Sequence, residues 1–386
     1  MGDATLYAVL PTHTEVAGIT LASVGLMLSA NRWVRLITNH TAGTVYDRWP
    51  HRWFFVGALT LGSLSTAMYA FMPGFWPLLI ARLLWGLAWS GIWVGGNTII
   101  LDVSTTEDRG RWTGFYQLSF YMGSTLGFLA SGALTDWLGY QTALTVAAIV
   151  NFSGALIALV FLPETQRRIK EPTPEQAVSP AKPATAPNRD PLAPATALYT
   201  LNRFVTAGII SATLGLLVKQ RFSEIQLDDN FAIGVSTITG FLLGASTLTS
   251  MITAPIVGHW SDQIGNRWRV AAAGLLPGII GAACLAIGNP ILILIGVPLS
   301  AIAGGSNQSL ATAVLGDHIG DAHRGRALGW MHTFGDLSSA IAPPLAYGLL
   351  AWIDIPGIYA ICVILLSAML IWTLALARQT PANCPR

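Results

Sequence analysis

The chain has 386 residues, of which 53% are hydrophobic and only 10% charged, and its formal net charge at pH 7 is +2. Soluble domains carry about 25% charged residues, so this composition excludes an ordinary soluble protein. So small a net charge gives no sign of the basic surface that binds nucleic acid. The cysteines, Cys284, Cys362 and Cys384, lack the spacing of a metal or redox site. We therefore expect no metal, no cofactor and no nucleic-acid partner.

Long apolar runs recur along almost the whole chain. About 20 apolar residues span the hydrocarbon core of a bilayer as a helix. Runs of this kind lie at 16–45, 53–72, 75–101, 111–135, 140–162, 197–221, 231–258, 268–288, 290–317, 324–351 and 356–377. A short apolar stub, LYAVLP, precedes the first run. The sequence therefore predicts an all-α polytopic membrane protein, surrounded by the lipid bilayer, with eleven full helices and a stub.

One segment interrupts the apolar pattern. Residues 163–196 are rich in proline and alanine, a composition typical of an extended linker outside the membrane. This linker separates a first helical bundle, 1–162, from a second bundle, 197–377, which is followed by a polar tail, 378–386. We therefore expect two helical domains joined by the linker.

Lysine and arginine residues outside the helices are concentrated in alternate connections. The linker and the tail belong to this basic set, whereas the intervening connections hold only Lys219 and Arg221, in a loop that also carries acids. Basic connections of membrane proteins stay in the cytoplasm. We expect a multi-pass protein of the cell (inner) membrane whose linker and carboxyl terminus are cytoplasmic.

The second part of the chain repeats the first at a constant offset of 215 residues. The matched pairs are Gly43 and Gly258, Asp47 and Asp262, Arg52 and Arg267, and Asp102 and Asp317. One offset that aligns two separate loops indicates two homologous, pseudo-symmetric halves of six helices. Under this offset most of the first helix would precede Met1. We expect translation to begin upstream of Met1, with a protein of eleven helices as the alternative.

The motifs that carry the repeat resemble those of a known family. G-x-x-x-D-R-x-x-x-R at 43–52 and G-x-x-S-D-x-x-G-x-R at 258–267 resemble the loop motif of the major facilitator superfamily (MFS). R-x-x-x-G at 82–86 and LPET at 162–165 also resemble family elements. GSTLGFLASG partly resembles the antiporter motif, with Phe128 in place of its proline. The resemblance implies two six-helix bundles, and it is closest to bacterial proton-coupled efflux-type members.

The charged residues of the repeated loops are candidates for a cytoplasmic gate. They are Asp47, Arg48, Arg52, Asp102, Asp262, Arg267 and Asp317. We expect Arg48 and Arg52 to pair with Asp102, and the equivalent residues of the second half to pair with Asp317. An exposed ion pair contributes only about 0–1 kcal/mol, which suits a contact that breaks in every transport cycle. The resemblance implies that the gate holds the outward-facing state; alternatively, the charges only fix topology.

Ionisable residues inside a membrane span are costly, so they indicate function by default. His332 and Asp336 lie one helical turn apart, where they can share a proton. This pair is our first candidate for proton coupling. Asp3, opposite Arg32 or Arg82, is the second. The alternatives are a structural hydrogen bond at Asp336 and a fixed interhelical ion pair at Arg82.

Polar and aromatic residues at helical spacing are candidates for a substrate cavity. They are Asn31, Arg35, Trp89, Trp93, Asn97, Asn307 and Gln308. The aromatic side chains could stack against a substrate, and the amides could donate hydrogen bonds to it. The alternatives are packing of the tryptophans at the membrane interface, amides that only hold helices together, and a guanidinium of Arg35 or Arg203 that extends to the membrane surface.

The sequence favours a secondary transporter that works by alternating access. It lacks a G-x-x-x-x-G-K-[ST] nucleotide-binding loop, so we expect transport to be driven by protons or to be passive. Our hypothesis is proton-coupled export of a small organic or amphipathic molecule by a monomer. Uptake of a metabolite such as a sugar or organic acid is the alternative, and a non-transporting sensor is another. No G-x-S-x-G motif suggests an enzyme.

Overall fold

A computed structural model describes residues 2–105, 108–165, 192–222, 225–228, 231–318 and 321–379. Its helices are α1 (Gly2–Val9), α2 (Leu21–Arg48), α3 (His51–Phe71), α4 (Phe75–Val103), α5 (Arg109–Leu138), α6 (Tyr140–Phe161), α7 (Leu192–Arg203), α8 (Ser211–Arg221), α9 (Val235–Ile264), α10 (Arg267–Ile287), α11 (Pro290–His318), α12 (Asp321–Leu349) and α13 (Ile355–Gln379). A π-helical segment, Phe204–Ile210, joins α7 to α8. Strands β1 (Ile225–Asp228) and β2 (Phe231–Ile233) form an antiparallel hairpin.

The predicted all-helical membrane fold is confirmed. Each of the eleven apolar runs becomes a long helix, with α7, the π-helical segment and α8 together forming one of them, and the stub becomes α1. Eight of the long helices have the length and apolar composition to cross a membrane. The long helices outside that set are α2, α5 and α12, which carry more polar residues.

Two details differ from the sequence predictions. Helix α7 begins at Leu192, inside the predicted linker 163–196. Most of that linker and most of the tail 378–386 lie outside the described residues. The run predicted from 231 begins as the second strand of the hairpin, and its helix starts at Val235.

The helices form two bundles. In the first bundle α4 packs against α2 and α3, and α3 packs against α6. In the second bundle α11 packs against α9 and α10, and α13 packs against α10. The bundles meet along two helix pairs, α2 with α12 and α5 with α9. The polar helices α2, α5 and α12 therefore all lie between the bundles, together with the apolar helix α9.

The bundles are in close contact at one end, which we call the closed end. It carries the β1–β2 hairpin, which lies between α8 and α9 in the chain, and the connection 350–354. A Cβ atom on Gly25 of α2 would lie 2.6 Å from the Pro343 carbonyl oxygen of α12, and one on Gly132 of α5 would lie 2.3 Å from that of Ser236. Small residues permit this approach of backbones, so glycine is required at both positions.

A carboxylate also joins the bundles at the closed end. Asp136 of α5 accepts hydrogen bonds from the backbone N–H groups of Ser236 (3.3 Å) and Thr237 (2.7 Å), in the first turn of α9. These N–H groups have no partner within their own helix, and a negative charge is favourable there. Asp136 of one bundle therefore caps a helix of the other.

The opposite end, which we call the open end, carries the connections 49–50 and 265–266. A Cβ atom on Gly43 of α2, Gly114 of α5 or Gly329 of α12 would meet no described atom within 4 Å. The same three helices that touch the other bundle near the closed end therefore have free space beside them here.

Candidate functional site

A cavity of about 250 Å³ lies between α2 and α12, where the bundles separate. Its lining residues are Arg35, Leu36, Asn39 and His40 of α2 and Gly329, His332, Thr333 and Asp336 of α12. Residues three and four apart lie on one face of a helix, so each helix presents one face to the cavity. Of the predicted cavity residues, Arg35 lies in this lining, and two predicted proton-coupling residues join it.

The carboxylate of Asp336 is the centre of the charges in the cavity. It accepts hydrogen bonds from Arg35 Nη2 of the first bundle at 3.3 Å and from Arg203 Nη2 of the second at 3.1 Å. All three side chains are largely buried. The proposed extension of Arg35 and Arg203 to the membrane surface is therefore wrong, because both guanidinium groups bind a carboxylate inside the protein.

His332 and Asp336 do not share a hydrogen bond among the described residues, contrary to our first candidate. His332 Nδ1 instead lies 2.8 Å from the Tyr199 hydroxyl. The two arginines occupy both oxygens of Asp336. Spacing along one helix could not reveal this, because Tyr199 and Arg203 belong to α7.

Arg32 links the bundles through backbone atoms. Its guanidinium donates hydrogen bonds to the Ala207 carbonyl at 2.9 Å and to the Ser339 carbonyl. Ala207 lies in the π-helical segment, a distortion found often at functional sites. Arg32 is therefore not the partner of Asp3, which was one of the two options from the sequence.

The predicted pairing of Asp3 with Arg82 is present in the structure. Asp3 Oδ1 lies 2.5 Å from Arg82 Nη1, and Asn31 Nδ2 donates to the same oxygen at 3.4 Å. The Arg82 side chain has no exposed surface, and its Nε donates to the Met27 carbonyl at 2.7 Å. Asn31 is 3% exposed, so it belongs to this buried cluster and not to the cavity.

Tyr7 connects the two charge clusters. Its ring lies 5.4 Å from the Arg32 guanidinium carbon and 5.9 Å from that of Arg82, within the range of cation–π attraction. Its hydroxyl donates to the Leu28 carbonyl at 2.7 Å. Tyr7 is not among the predicted site residues, since a single tyrosine in the apolar stub carries no pattern that indicates a role.

Aromatic side chains lie beside the cavity. The Trp89 and Trp93 rings stack with centroids 6.0 Å apart, and the Phe120 centroid is 5.5 Å from each. The Arg35 guanidinium carbon lies 5.8 Å from the Trp89 ring. Asn97 donates to the Trp93 carbonyl of its own helix at 2.7 Å. Of these aromatic residues of α4 and α5, Trp89 is the one that contacts the Arg35 guanidinium.

The two amides predicted for the cavity on α11 lie elsewhere. The Asn307 side chain is fully buried, and a Cβ atom on Gly274 of α10 would lie 3.7 Å from its Nδ2. Gln308 does not line the cavity between α2 and α12. Asn307 therefore lies on the face of α11 that packs against α10, and its side-chain amide has no hydrogen-bond partner among the described residues.

The gate residues of the first bundle have partners that the sequence did not predict. Asp102 lies 2.7 Å from His51 Nδ1 and accepts from the Thr165 hydroxyl at 2.9 Å. His51 Nε2 lies 2.7 Å from the Tyr46 carbonyl. The His51 ring therefore lies between the Asp102 carboxylate and the Tyr46 carbonyl and contacts one with each nitrogen.

The predicted pairing of Asp102 with Arg48 or Arg52 is wrong. The Arg52 guanidinium donates to the Leu159 carbonyl, and its carbon lies 5.3 Å from the Trp53 ring. Asp47 and Arg48 are exposed and form no ion pair among the described residues. Asp102 has other partners because the chain turns back after α6 and the 162–165 segment packs against the start of α3.

The equivalent residues of the second bundle follow the predicted pattern of contacts. Arg267 Nη1 lies 2.9 Å from Asp262, and its Nε and Nη2 both donate to Asp317. The contacts stay within one bundle. The two halves of the repeat therefore differ. In the first half His51 contacts Asp102, whereas in the second half Arg267 contacts the equivalent Asp317.

The 162–165 segment gives a testable difference between these halves. Glu164 accepts from the backbone N–H groups of His51 (2.9 Å) and Arg52 (3.3 Å), and Thr165 binds Asp102. We expect Asp102→Asn to weaken the attachment of this segment, because it removes the charge from the Thr165 contact, and a charge-assisted hydrogen bond contributes about 1.5–3 kcal/mol. Trypsin cleavage at the adjacent Arg167 should become roughly tenfold faster.

The matched control is the equivalent position of the second bundle. Asp317→Asn removes a carboxylate that contacts Arg267 and not the 162–165 segment. Its cleavage rate should equal that of the wild type. Equal rates for both variants would show that Asp102 does not hold the segment.

The sequence is similar to that of known membrane transporters. The family model described as "Major Facilitator Superfamily" matches residues 1–223 and 192–384. A "Probable 4-methylmuconolactone transporter" of Cupriavidus pinatubonensis is 32% identical over 40% of this chain and 35% of its own length, so the match spans about a third of that relative. A "Tetracycline resistance protein, class G" of Vibrio anguillarum is 25% identical over 94% of this chain and 92% of its own.

A solved structure has the same fold. It is a bacterial homolog of the human lysosomal transporter Spinster, in an inward-facing and occupied conformation. The TM-score is 0.77 at 14% sequence identity, and the match covers 100% of this chain and 95% of that one. With the family model matched across both bundles, this multi-pass membrane protein belongs to the major facilitator superfamily of transporters.

Proposed function

We propose that the protein is a secondary active transporter that works by alternating access and exports a small organic or amphipathic molecule in exchange for protons. The observation that carries this proposal is the contact of Asp336 with Arg203 of its own bundle and with Arg35 of the other. Rocking of two bundles about a central site is how such transporters expose the site to each side in turn. That motion changes the partners of Asp336.

The orientation of the chain supports an inward-facing state. Basic connections stay in the cytoplasm, and two of them, 48–52 and 265–269, lie at the open end. We place the protein in the cell (inner) membrane with its linker 163–196 and its tail in the cytoplasm. The bundles 1–162 and 197–377 are the two rocking domains. The cavity beside Asp336 then opens to the cytoplasm.

Asp336 is the proposed proton site. When the cytoplasmic end closes and the other end opens, α2 and α12 rotate apart near the closed end, and the contact of Arg35 with Asp336 breaks. A proton can then replace the lost positive charge. The Asp3–Arg82 pair lies within the first bundle, so its geometry survives the rotation, and we assign it the positioning of α2.

The exposed gate residues fit the same cycle. Asp47 and Arg48 have no ion-pair partner among the described residues while the cytoplasmic end is open. We propose that they form contacts with the second bundle only after this end closes. The pairs of Arg267 stay within one bundle and position the equivalent loop.

Export is the proposed direction because a relative that matches 94% of this chain is named for resistance to tetracycline. A membrane transporter confers resistance by carrying the drug out. The test is proton flux in everted membrane vesicles, with amphipathic cations, sugars and organic acids as probes. We expect a substrate to release protons from energised wild-type vesicles, and Asp336→Asn to lower this flux at least tenfold.

The control variant is Asp354→Asn, which removes an exposed carboxylate in the connection before α13. Its proton flux should match that of the wild type. Full flux from Asp336→Asn would contradict a proton site at Asp336. Folded protein that moves no probe in either direction would contradict the transporter proposal and favour a sensor.

A further inference from the structure

We propose that the transported molecule is an aromatic carboxylate, whose carboxylate binds Arg35 and Arg203 and whose ring lies against Trp89. The inference rests on the proposed transport function and names its substrate class. Three independent observations support it. They are the charge balance of the site, the unused donors of its arginines, and the aromatic side chains next to them.

The site carries an excess of positive charge. The two charge clusters contain the arginines Arg32, Arg35, Arg82 and Arg203 and the carboxylates Asp3 and Asp336. Asp3 pairs with Arg82, which leaves Asp336 to balance three guanidinium groups. Arg32 is bound to carbonyl oxygens, which carry no net charge. Buried charge without a counterion is costly, so an anion in the cavity stabilises this arrangement.

Both arginines at Asp336 have a donor that is not used. The Nε atoms of Arg35 and Arg203 are buried and have no hydrogen-bond partner in the described part of the chain. Each guanidinium binds Asp336 through Nη2 only. An arginine can bind a carboxylate with two parallel hydrogen bonds. A substrate carboxylate therefore finds donors that Asp336 leaves free.

The aromatic residues around Arg35 favour a ligand that carries a planar ring. Its guanidinium lies over the Trp89 ring at 5.8 Å, and Trp93 and Phe120 extend this aromatic surface. Offset stacking and edge contacts between aromatic rings add attraction beyond that of the area they bury. A planar ring attached to the carboxylate can make these contacts, and a saturated ring of similar size makes them poorly.

The proposal predicts a ranking of ligands for the purified wild-type protein. The probes are radiolabelled benzoate, with cyclohexanecarboxylate, benzamide and benzylamine as competitors in a scintillation-proximity assay. We expect benzoate to bind, cyclohexanecarboxylate to compete several-fold less well, and benzamide and benzylamine to compete at least tenfold less well. Equal competition by benzylamine, or no benzoate binding by folded protein, would overturn the proposal.

Variants assign the binding to these residues. Arg35→Gln and Arg203→Gln should each weaken benzoate binding at least tenfold, and Arg35→Lys should weaken it less, which keeps the test valid if a glutamine variant does not fold. Trp89→Leu should remove the preference for benzoate over cyclohexanecarboxylate. Arg378→Gln, at the exposed end of α13, is the control and should bind normally. Unchanged binding by both glutamine variants would contradict the assignment.

Binding is measured without transport, so the two proposals fail separately. Benzoate that binds but does not cross the membrane would support the substrate class and contradict the transporter. Proton-coupled flux of another compound, by protein that does not bind benzoate, would support the transporter and overturn the substrate class.

Discussion

Asp3→Asn should lower the stability of the protein by about 3 kcal/mol, the lower end of the cost of removing one partner from a buried ion pair. The Arg82 side chain has no exposed surface, and Asp3 is the only carboxylate bound to it among the described residues. The variant therefore leaves a charged guanidinium in the interior without a counterion. The lower end applies because the Asp3 side chain itself is 35% exposed. Thermal unfolding in detergent should show a midpoint roughly 5 °C lower.

A double variant separates the ion pair from the shape of the site. Asp3→Asn combined with Arg82→Met removes both charges and keeps an unbranched side chain at position 82. Replacing both partners of a buried pair is often neutral, so the double variant should be more stable than Asp3→Asn alone. The four proteins form a double-mutant cycle. Additive effects of the two changes would mean that Asp3 and Arg82 do not interact.

Gly132→Val should prevent the close contact of α5 with α9 at the closed end and should therefore lower transport. A Cβ atom at position 132 would lie 2.3 Å from the Ser236 carbonyl oxygen, and backbone atoms of two long helices cannot move aside as a flexible side chain can. Overpacking costs about 1–3 kcal/mol, which changes the balance between two states about 5- to 150-fold. Spin labels on α5 and α9 near the closed end should report longer distances, and substrate flux should fall by a similar factor.

Gly123 provides a control on the same helix. A Cβ atom there would meet no described atom within 4 Å. Gly123→Val changes the helix propensity of α5 by the same amount but creates no contact with α9. It should therefore keep the wild-type distances and flux. If Gly132→Val keeps them too, the close approach of α5 and α9 is not needed for the transport cycle.

Hydropathy predicted the helices well because a bilayer imposes both a minimum length and an apolar composition. The runs 75–101 and 290–317 became α4 and α11 almost unchanged. The offset between Asp47 and Asp262 likewise indicated the two bundles before any contact was known. These features depend on local composition or on a repeat, and both can be read from one sequence.

The partners of the site residues could not be predicted in the same way. The spacing of one turn predicts His332 as the partner of Asp336, whereas its partners are Arg35, 301 residues away, and Arg203, 133 residues away. Two arginines with delocalised charge bind a carboxylate more strongly than a neutral imidazole does. Only the packing of α2 and α7 against α12 reveals this competition.

The gate residues of the first bundle show a second limit of prediction from sequence. The repeat predicted equal pairing in both halves, and Arg267 follows it. In the first half His51 occupies the position beside Asp102, and Glu164 and Thr165 complete the cluster. The LPET motif was visible in the sequence, but its return against α3 depends on tertiary packing.

The polar composition of α2 has a consequence for how the protein is made. Insertion of an arginine at the centre of a helix costs about 2.5–3.5 kcal/mol, and α2 carries Arg32 and Arg35 near its middle. The groups that bind them, Ala207 and Asp336, are synthesised 175 and 301 residues later. During biosynthesis α2 therefore stays beside its apolar neighbours or the insertion machinery, with Arg32 and Arg35 still lacking these partners. The charge network is completed only when the second bundle enters the membrane and docks.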